Sequence, residues 1–384
     1  MTNKELIERV SATFQKRHNT KPVLTFSPGR INLIGEHTDY NDGFVFPAAI
    51  DKGIVSGIQK NNKPTCSVYA IDAKASHNFD KNNLKPIKNG TWRNYVIGVI
   101  FEVQRTYKIE SNFDIVFAGN IPSGSGLSSS AALENSIVFG LNELFELEMT
   151  KEEMIFISQK AEHDFANVKC GIMDQYASMF GQENAAILLD CRSLESTVFS
   201  VDFKDHEILL INSNVKHSLA DSAYNERRSV CEKVGSMLGV KALRGVTKAQ
   251  LQFIKEQVSE EEYLKALNVL EENERVVEAS IALKENDLKL FGKLLFDSHN
   301  GLQYQYKVSC AELDFLVDTA RNNSNVIGAR MMGGGFGGCT INLVSKAGLS
   351  AFKEEVKHSY KKQFSKECSF YNVALSKGVH TIKV

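Results

Sequence analysis

The sequence predicts a two-domain α+β protein, and three observations carry that prediction. At 384 residues the chain exceeds the ~100–200 residues usual for one domain. Strand-like and helix-like hydrophobic periods alternate through its first half. From about Asp221 to Asn300 proline is absent and Glu, Lys, Leu and Ala dominate, which reads as helix. No Pro- or Gly-rich linker divides the chain, and all six prolines precede residue 123. The boundary is therefore placed where mixed α/β gives way to the helical block, near residue 205, giving domains 1–205 and 206–384.

The elements follow in order. Leu6, Val10 and Phe14 fall on one face of an amphipathic N-terminal helix. Val23–Phe26 starts a strand, and Ile54–Gln59 and Cys66–Ile71 read as two more. Trp92–Tyr107 is helical, with Val96, Val99, Ile100 and Val103 on one face. Phe113–Ala118 is a short apolar strand. A Gly/Ser loop at 122–130 then leads into a helix through Leu141, Leu144 and Phe145. Thr150 and Glu153 form a capping box that starts a helix near Lys151. Ala185–Asp190 and Ile208–Ile211 are strand candidates. Past the helical block come a strand at Val326–Met331, a glycine cluster at 333–338, a strand at Thr340–Val344, a helix near Ala347–Tyr360 and a strand at Ser369–Leu375.

Composition excludes several classes. Lys plus Arg is 45 and Asp plus Glu 46, so the formal charge is −1. That balance gives no reason to expect nucleic acid or an anionic membrane as partner, and an anionic ligand must be held locally. The seven cysteines are odd in number, scattered and without a C-x-x-C pair, as expected of reduced thiols in a cytosolic protein. The polar N-terminus lacks a signal-peptide core, and no run approaches the ~18 apolar residues of a membrane span. The expected location is the cytoplasm. There is no internal repeat of 20–50 residues and no low-complexity tract.

Four segments could carry chemistry. Ser27-Pro-Gly-Arg-Ile-Asn-Leu-Ile-Gly-Glu-His-Thr-Asp-Tyr-Asn41 joins a strand start to the polar cluster Arg30, Asn32, Glu36, His37, Asp39 and Asn41. Carboxylates that accept from hydroxyls, beside His and Asn that donate or accept, suit a polyol; a solvated loop is the other reading. His37 and Asp39 as metal ligands lack a third ligand nearby. Asn120-Ile-Pro-Ser-Gly-Ser-Gly-Leu-Ser-Ser-Ser-Ala-Ala132 lies between a strand and a helix. Its glycines and the helix N-terminus suit an oligophosphate, with Ser128, Ser129 and Ser130 supplying hydroxyls. It is not a Walker loop, and Ser129 stands where a dinucleotide fingerprint needs Gly or Ala. Glu162-His163-Asp164 through Cys170-Gly-Ile-Met-Asp-Gln175 places two carboxylates, Glu162 and Asp174, where one could serve a metal and one a base; surface charge is the alternative. Asp174 is flanked by Ile172, Met173 and Tyr176, so a buried carboxylate there needs a partner, and Arg30 is the natural one. Gly328-Ala-Arg-Met-Met-Gly-Gly-Gly-Phe-Gly-Gly338 reads as a hairpin end or as backbone close to a ligand. Tyr224 is the one residue of Tyr224-Asn225-Glu226-Arg227-Arg228 expected to reach a site, whereas His163 and His217 are read as structural or exposed.

Together these motifs resemble the galactokinase family of the GHMP kinase superfamily. The P-x-G-x-G-L-S-S-S-A loop and the C-terminal glycine cluster are similar to superfamily motifs, and G-R-I-N-L-I-G-E-H-T-D-Y-N to the galactokinase signature. The resemblance runs in order from Gly29 to Gly338. It implies the two-domain GHMP kinase fold, with the active site in the interdomain cleft. It implies transfer of the γ-phosphoryl group of ATP to the C1 hydroxyl of D-galactose, giving galactose 1-phosphate and ADP, the first committed step of the Leloir pathway. By position in the motifs, Arg30 matches the arginine beside the transferring phosphate. Glu36, His37, Thr38 and Asp39 match the sugar-binding stretch, with Tyr224 a further sugar contact. Gly124, Ser125, Gly126, Leu127, Ser128, Ser129 and Ser130 match the ATP loop. Ser130 and Glu162 match the Mg²⁺ ligands, and Asp174 the catalytic aspartate, acting as base or as an orienting group. The expected partners are galactose and ATP, with no nucleic acid or membrane, and the expected state is a monomer. A kinase for a related sugar such as N-acetylgalactosamine shares these motifs. A non-catalytic sugar sensor is disfavoured by the intact Ser128-Ser-Ser-Ala-Ala132 and by Asp174.

Overall fold

The computed structural model describes residues 1–215 and 220–383; His217 lies outside them. Helix α1 (Asn3–His18) precedes strands β1 (Val23–Asn32), β2 (Phe44–Val45), β3 (Pro47–Asn61), β4 (Cys66–Ala70) and β5 (Ala75–Phe79). Next come α2 (Trp92–Gln104), β6 (Asn112–Gly119), α3 (Ser129–Phe145), α4 (Lys151–Ala161) and α5 (Met173–Phe180). Strands β7 (Ala185–Asp190), β8 (Ser196–Ser200) and β9 (His206–Asn212) lead to the helices α6 (Ala220–Met237), α7 (Lys248–Phe253), α8 (Glu260–Lys284), α9 (Leu288–Asn300) and α10 (Ala311–Arg321). The chain closes with β10 (Val326–Met331), β11 (Cys339–Ser345), α11 (Leu349–Phe364), β12 (Ser369–Asn372) and β13 (His380–Thr381). Among the described residues no helix is long and apolar enough to cross a membrane, and all seven cysteines are unpaired.

Each main sheet separates its faces by the two-residue period of a strand. The first has the order β13-β1-β3-β6-β4-β5. Leu24, Phe26, Val55, Val116 and Ala118 meet α1 through Leu6, Val10 and Phe14. The alternate residues, among them Ile54, Ile58, Ile115 and Phe117, pack under α2, α3 and α4. The second sheet has the order β10-β11-β9-β12. Its Leu209 and Ile211 face α10 and α11, while Ile208, Leu210, Ile341 and Leu343 face α8 and α9. That second core also takes Ile31, Leu33 and Ile34 from the end of β1 and Leu127 from the loop before α3. The two halves of the chain thus share apolar packing directly beneath the motif residues. Residue 205 falls between β8 and β9, which lie in different sheets, and β13 returns to pair with β1.

Helix α4 starts as read, with Thr150 and Glu153 reciprocally capped. Glu162 sits where α4 widens into a π-helical turn, Glu162–Ala166, rather than on regular helix. Helices α5 and α10 have no counterpart in the sequence pattern, and α5 carries Asp174 on its first turn.

Helix α9 packs on strand β10 glycine on glycine. A Cβ on Gly292 of α9 would lie 2.1 Å from the Ile327 carbonyl, and one on Gly328 of β10 would lie 2.5 Å from the Gly292 Cα. In an exposed helix Gly→Ala stabilises by up to ~1 kcal/mol; here overpacking of ~1–3 kcal/mol dominates. Gly292→Ala is expected to lower the urea midpoint of unfolding, although alanine is the better helix former.

Candidate active site

The polar stretch after β1 is held in place by residues from the far half of the chain. Gly35 has φ +98°, and a Cβ there would meet Val276 of α8 at 2.7 Å and the Phe44 carbonyl at 2.9 Å. Its N–H donates to Glu272 of α8 at 3.0 Å, and the Phe44 N–H donates to Asn273 at 2.7 Å. The Thr38 hydroxyl is spent inside the loop, 2.9 Å from the Gly35 carbonyl and 2.6 Å from that of Phe44. Thr38 is wholly buried. Arg330 of β10 is also fully buried. It donates to the Asn32, Leu33 and Met331 carbonyls and, at 3.0 Å, to Glu36 Oε1. The same Glu36 oxygen accepts the Gly333 N–H at 2.9 Å, so Glu36 is anchored through one oxygen. Glu272, Asn273 and Arg330 were not singled out in the sequence. Arg330 alone left a signal there, as a charge inside an apolar strand next to the glycine cluster.

His37 sits at φ +62°. Its Nδ1 is 2.7 Å from the Tyr40 hydroxyl and its Nε2 is 3.3 Å from the Gly334 carbonyl. Both ring nitrogens are committed, which leaves the ring itself to face Tyr224, centroid to centroid at 5.3 Å. Asp39 starts a single helical turn, Asp39–Asn41, and accepts the Tyr40 N–H on Oδ1 at 3.0 Å. Its other oxygen lies against the Gly171 Cα, where a Cβ would come within 2.2 Å of it.

Between β6 and α3 the loop turns through left-handed conformations at Gly124, Gly126 and Ser128 (φ 68°, 71° and 56°). Ser125 is buried and donates to the Pro122 carbonyl at 2.7 Å, and Leu127 is buried in the shared core. Ser128 is the cap residue of α3, yet its side chain does not cap the helix. The hydroxyl donates instead to Asp174 Oδ2 at 2.5 Å. The amides at the second and third positions of α3, Ser130 and Ala131, thereby lack the side-chain acceptor a cap residue usually gives them, as an anion-binding helix start requires.

These segments meet at Asp174. Arg30, projecting from β1, donates from Nε to Asp174 Oδ1 at 2.8 Å and from Nη1 to the Gly126 carbonyl at 2.6 Å. Its N–H reaches the Leu127 carbonyl at 3.2 Å, and a Cβ on Gly29 would lie 2.6 Å from that oxygen. Strand and loop run backbone to backbone there, which only glycine at 29 permits. The pairing of Arg30 with Asp174 is the one read from the sequence.

Three family models match. GHMP kinases N terminal domain covers residues 94–182, the galactokinase galactose-binding signature covers 12–60, and GHMP kinases C terminal covers 279–362. A galactokinase of Clostridium beijerinckii is 43% identical over 366 residues, spanning 93% of this chain and 94% of that one. The chain belongs to the galactokinase family. The crystal structure of Lactococcus lactis galactokinase complexed with galactose superposes with TM-score 0.93 at 34% identity, over 98% of this chain and 99% of that one. A Methanococcus jannaschii mevalonate kinase, at TM-score 0.67 and 17% identity over 93% and 99% of the two chains, shares the fold. The predicted two-domain GHMP kinase fold is thus the observed one.

The electrostatics of this galactokinase-family site are those of a crowd of carboxylates. Burial works against the Arg30 charge, but Asp174, Glu36 and Asp39 around it hold its pKa above the ordinary value. Asp39 is pushed up to about 7, first by burial and then by the Asp174 charge. His37 is driven down to about 3, chiefly by burial, and is neutral. Glu162 and Glu134 of α3 lie side by side, and the Gln175 amide donates to both, at 3.0 and 3.3 Å. Burial raises both carboxyls, Asp174 raises Glu162 further, and a hydrogen bond from Ser130 to Glu162 opposes this. Among the described residues, one buried oxygen of Glu134 has no hydrogen-bond donor. Acidic oxygens in such excess, beside a serine hydroxyl and a helix start suited to phosphate, fit a hard divalent cation.

Asp39 makes the ligand-free protein pH-sensitive. Its folded pKa of about 7 lies above the unfolded 3.8, so between these values the native state holds a proton that the unfolded chain releases. Stability then falls as pH rises across that window. Asp39→Asn is expected to raise the melting temperature of the ligand-free protein, with a gain over wild type that grows from about pH 5 to pH 8. Parallel melting curves in the absence of sugar would show a flat difference if Asp39 did not titrate.

Proposed function

We propose that this protein is a Mg²⁺-dependent kinase that transfers the γ-phosphoryl group of ATP to the C1 hydroxyl of D-galactose. The observation that carries the proposal is the shared carboxylate. Asp174 is bound on one oxygen by Arg30 of the sugar signature and on the other by Ser128 of the phosphate loop. A hydroxyl brought to Asp174 therefore stands beside the place where the loop presents a phosphate.

Phosphoryl transfer requires positioning and charge neutralisation more than covalent work. The loop has no Walker lysine, so its amides, the α3 N-terminus and Arg30 take the phosphate charge. Ser130 and Glu162 would hold Mg²⁺, which supplies further neutralisation of the β- and γ-phosphates. Arg30 is fixed by Asp174 and by the Gly126 carbonyl, so its remaining guanidinium edge is oriented before any ligand arrives. Asp174 orients the C1 hydroxyl and receives its proton late, when the new O–P bond has drawn the proton's electrons away.

Sugar choice follows from unpaired acceptors. Asp39 has a backbone donor on one oxygen, and Glu36 is held through Oε1 alone. Hydroxyls in the galactose arrangement satisfy the remaining lone pairs. Glucose, inverted at C4, leaves an acceptor bare in a buried site, and such mismatches discriminate by ~10⁴ or more. Tyr224 lines the same wall through its contact with His37.

Purified protein with ATP, Mg²⁺ and a panel of sugars tests the proposal by coupled ADP detection. Galactose should turn over strongly, 2-deoxygalactose partially and glucose almost not at all. Comparable kcat/KM for glucose and galactose, or a preference for N-acetylgalactosamine, would sink the assignment to galactose. Asp174→Asn should fold and bind ATP yet lose at least ~10²-fold in kcat, the low end for a general acid–base group. Near-normal turnover of that variant would remove Asp174 from the mechanism.

A further inference from the structure

Behind the sugar stretch lies a row of hydrogen-bonding groups that the phosphoryl-transfer scheme does not use. Cys231 of α6 is 3.3 Å from the Tyr306 hydroxyl, which is 2.8 Å from the Tyr40 hydroxyl. Tyr40 is 2.7 Å from His37 Nδ1, and His37 Nε2 is 3.3 Å from the Gly334 carbonyl. The row joins four separate parts of the fold: α6, the segment after the π-helical turn Gly301–Gln305, the sugar stretch, and the glycine loop 333–338.

Only one proton arrangement satisfies every link. A carbonyl can only accept, so His37 Nε2 carries the hydrogen. The imidazole is neutral, since burial holds it far below the range in which it would charge, so Nδ1 accepts. Tyr40 therefore spends its single hydroxyl proton on His37. Tyr306 must then donate to the Tyr40 oxygen, and the Cys231 thiol must donate to Tyr306. Burial pushes that thiol up to about 11, which keeps its proton in place. Reversing any one link leaves two donors or two acceptors facing each other elsewhere in the row.

The end of the row touches the ATP side. A Cβ on Gly126 would lie 3.2 Å from the Met332 carbonyl, and one on Gly333 would lie 3.3 Å from the Gly126 carbonyl. A Cβ on Gly338 would lie 3.6 Å from the Gly124 carbonyl. The glycine loop thus lies on the phosphate loop, backbone against backbone. Tyr306 also accepts the Arg227 Nε at its carbonyl (2.9 Å), and two residues on, the Val308 carbonyl accepts the Phe336 N–H at 2.7 Å. Tyr306 is fully buried, and its hydroxyl is occupied on both sides by protein.

We propose that Tyr306 and Tyr40 are positioning residues. Their one-way hydrogen-bond row latches the sugar stretch to the glycine loop and so sets the phosphate loop from the sugar side of the site. The inference rests on the kinase reading above, and its consequence is specific. A hydroxyl remote from both substrates controls the binding of both, and breaking one link costs as much as breaking two.

Tyr306→Phe keeps the ring and deletes the hydroxyl. KM for ATP and KM for galactose should each rise about fivefold, the equivalent of ~1 kcal/mol for one neutral hydrogen bond, with kcat nearly unchanged. Tyr40→Phe should act alike, and the double variant should be no worse than the poorer single one, as expected of one coupled row. Cys231→Ser, which keeps a donor in place, should stay near wild type, whereas Cys231→Ala should not. Hydrogen exchange at the amides of 333–338 should quicken in Tyr306→Phe without any substrate present, which reads the latch independently of catalysis. Unchanged KM values and unchanged exchange in Tyr306→Phe, or a double variant whose effects simply add, would overturn the proposal. A wild-type protein that fails to phosphorylate galactose while Tyr306→Phe still alters ADP affinity and loop exchange would count against the kinase assignment and leave the latch standing.

Discussion

A guanidinium withdrawn from water must find a carboxylate, and the Arg30–Asp174 pair imposes that requirement on this fold. Arg30 is 4% exposed. Leaving such a charge unpaired would cost several kcal/mol, more than most single contacts in a protein return. The partners lie 144 residues apart in the chain. Their meeting brings the end of β1, the start of α5 and the loop before α3 to one point, because Ser128 takes the second oxygen of Asp174 and the Gly126 carbonyl takes a second donor of Arg30. Close approach then restricts the sequence. Gly29 is required beside the Leu127 carbonyl, and Ser128 is drawn away from its capping role. The first amides of α3 are left for a ligand as a consequence of how the ion pair is satisfied.

Around that pair the site holds more negative charge than its own cations balance. Asp39, Glu134 and Glu162 are all pushed toward protonation, first by burial. A ligand-free protein with these groups is less stable than one with amides in their place, the usual relation between an active site and stability. The arrangement is reasonable only if substrates relieve it: sugar hydroxyls for Asp39, and a divalent cation for the Glu134–Glu162 pair. Arg330 differs in kind. Its donors go to backbone carbonyls and to Glu36, so it fixes the shape of the stretch and balances the Glu36 charge.

Much of this was legible in the sequence, and what was not has a common cause. Apolar periodicity located α1, α2 and, β5 and β13 apart, the strands of both main sheets, because their buried faces obey helical or strand spacing. The capping box at Thr150 marked the start of α4. Helix α5 escaped because its eight residues are too few to display a period, and β5 and β8 because they are largely exposed edge segments. At the site, the pairing of Arg30 with Asp174 could be inferred from an apolar setting that would not tolerate a lone carboxylate. The roles of Glu272, Asn273 and Arg330 could not, since each acts on backbone groups more than two hundred residues away. Thr38 and His37 show the converse. Their positions in the signature suggest sugar contacts; the sequence does not show that Thr38 also closes a turn and that both nitrogens of His37 are held by protein. Residue type and spacing tell which segment forms a site; which side chains face inward depends on partners that arrive from elsewhere.

The glycine cluster near the C-terminus shows why sequence position alone was a weak guide there. Between two strands it reads as a hairpin end, and β10 and β11 do pair antiparallel across it. A hairpin does not need so many glycines. The reason for them lies outside the hairpin. Gly333 approaches Gly126, Gly335 approaches the Val308 carbonyl to 2.2 Å of where its Cβ would be, and Gly337 approaches that of Val215 to 2.6 Å. Each of these also has a positive φ, which side-chain-bearing residues adopt only under strain. The loop is therefore shaped on three sides by backbone from other segments. A bulky side chain at any of these positions would lift it off the phosphate loop that it covers. Because Glu36 and His37 hold its first two residues, at the Gly333 N–H and the Gly334 carbonyl, any such displacement would be felt at the sugar stretch as well.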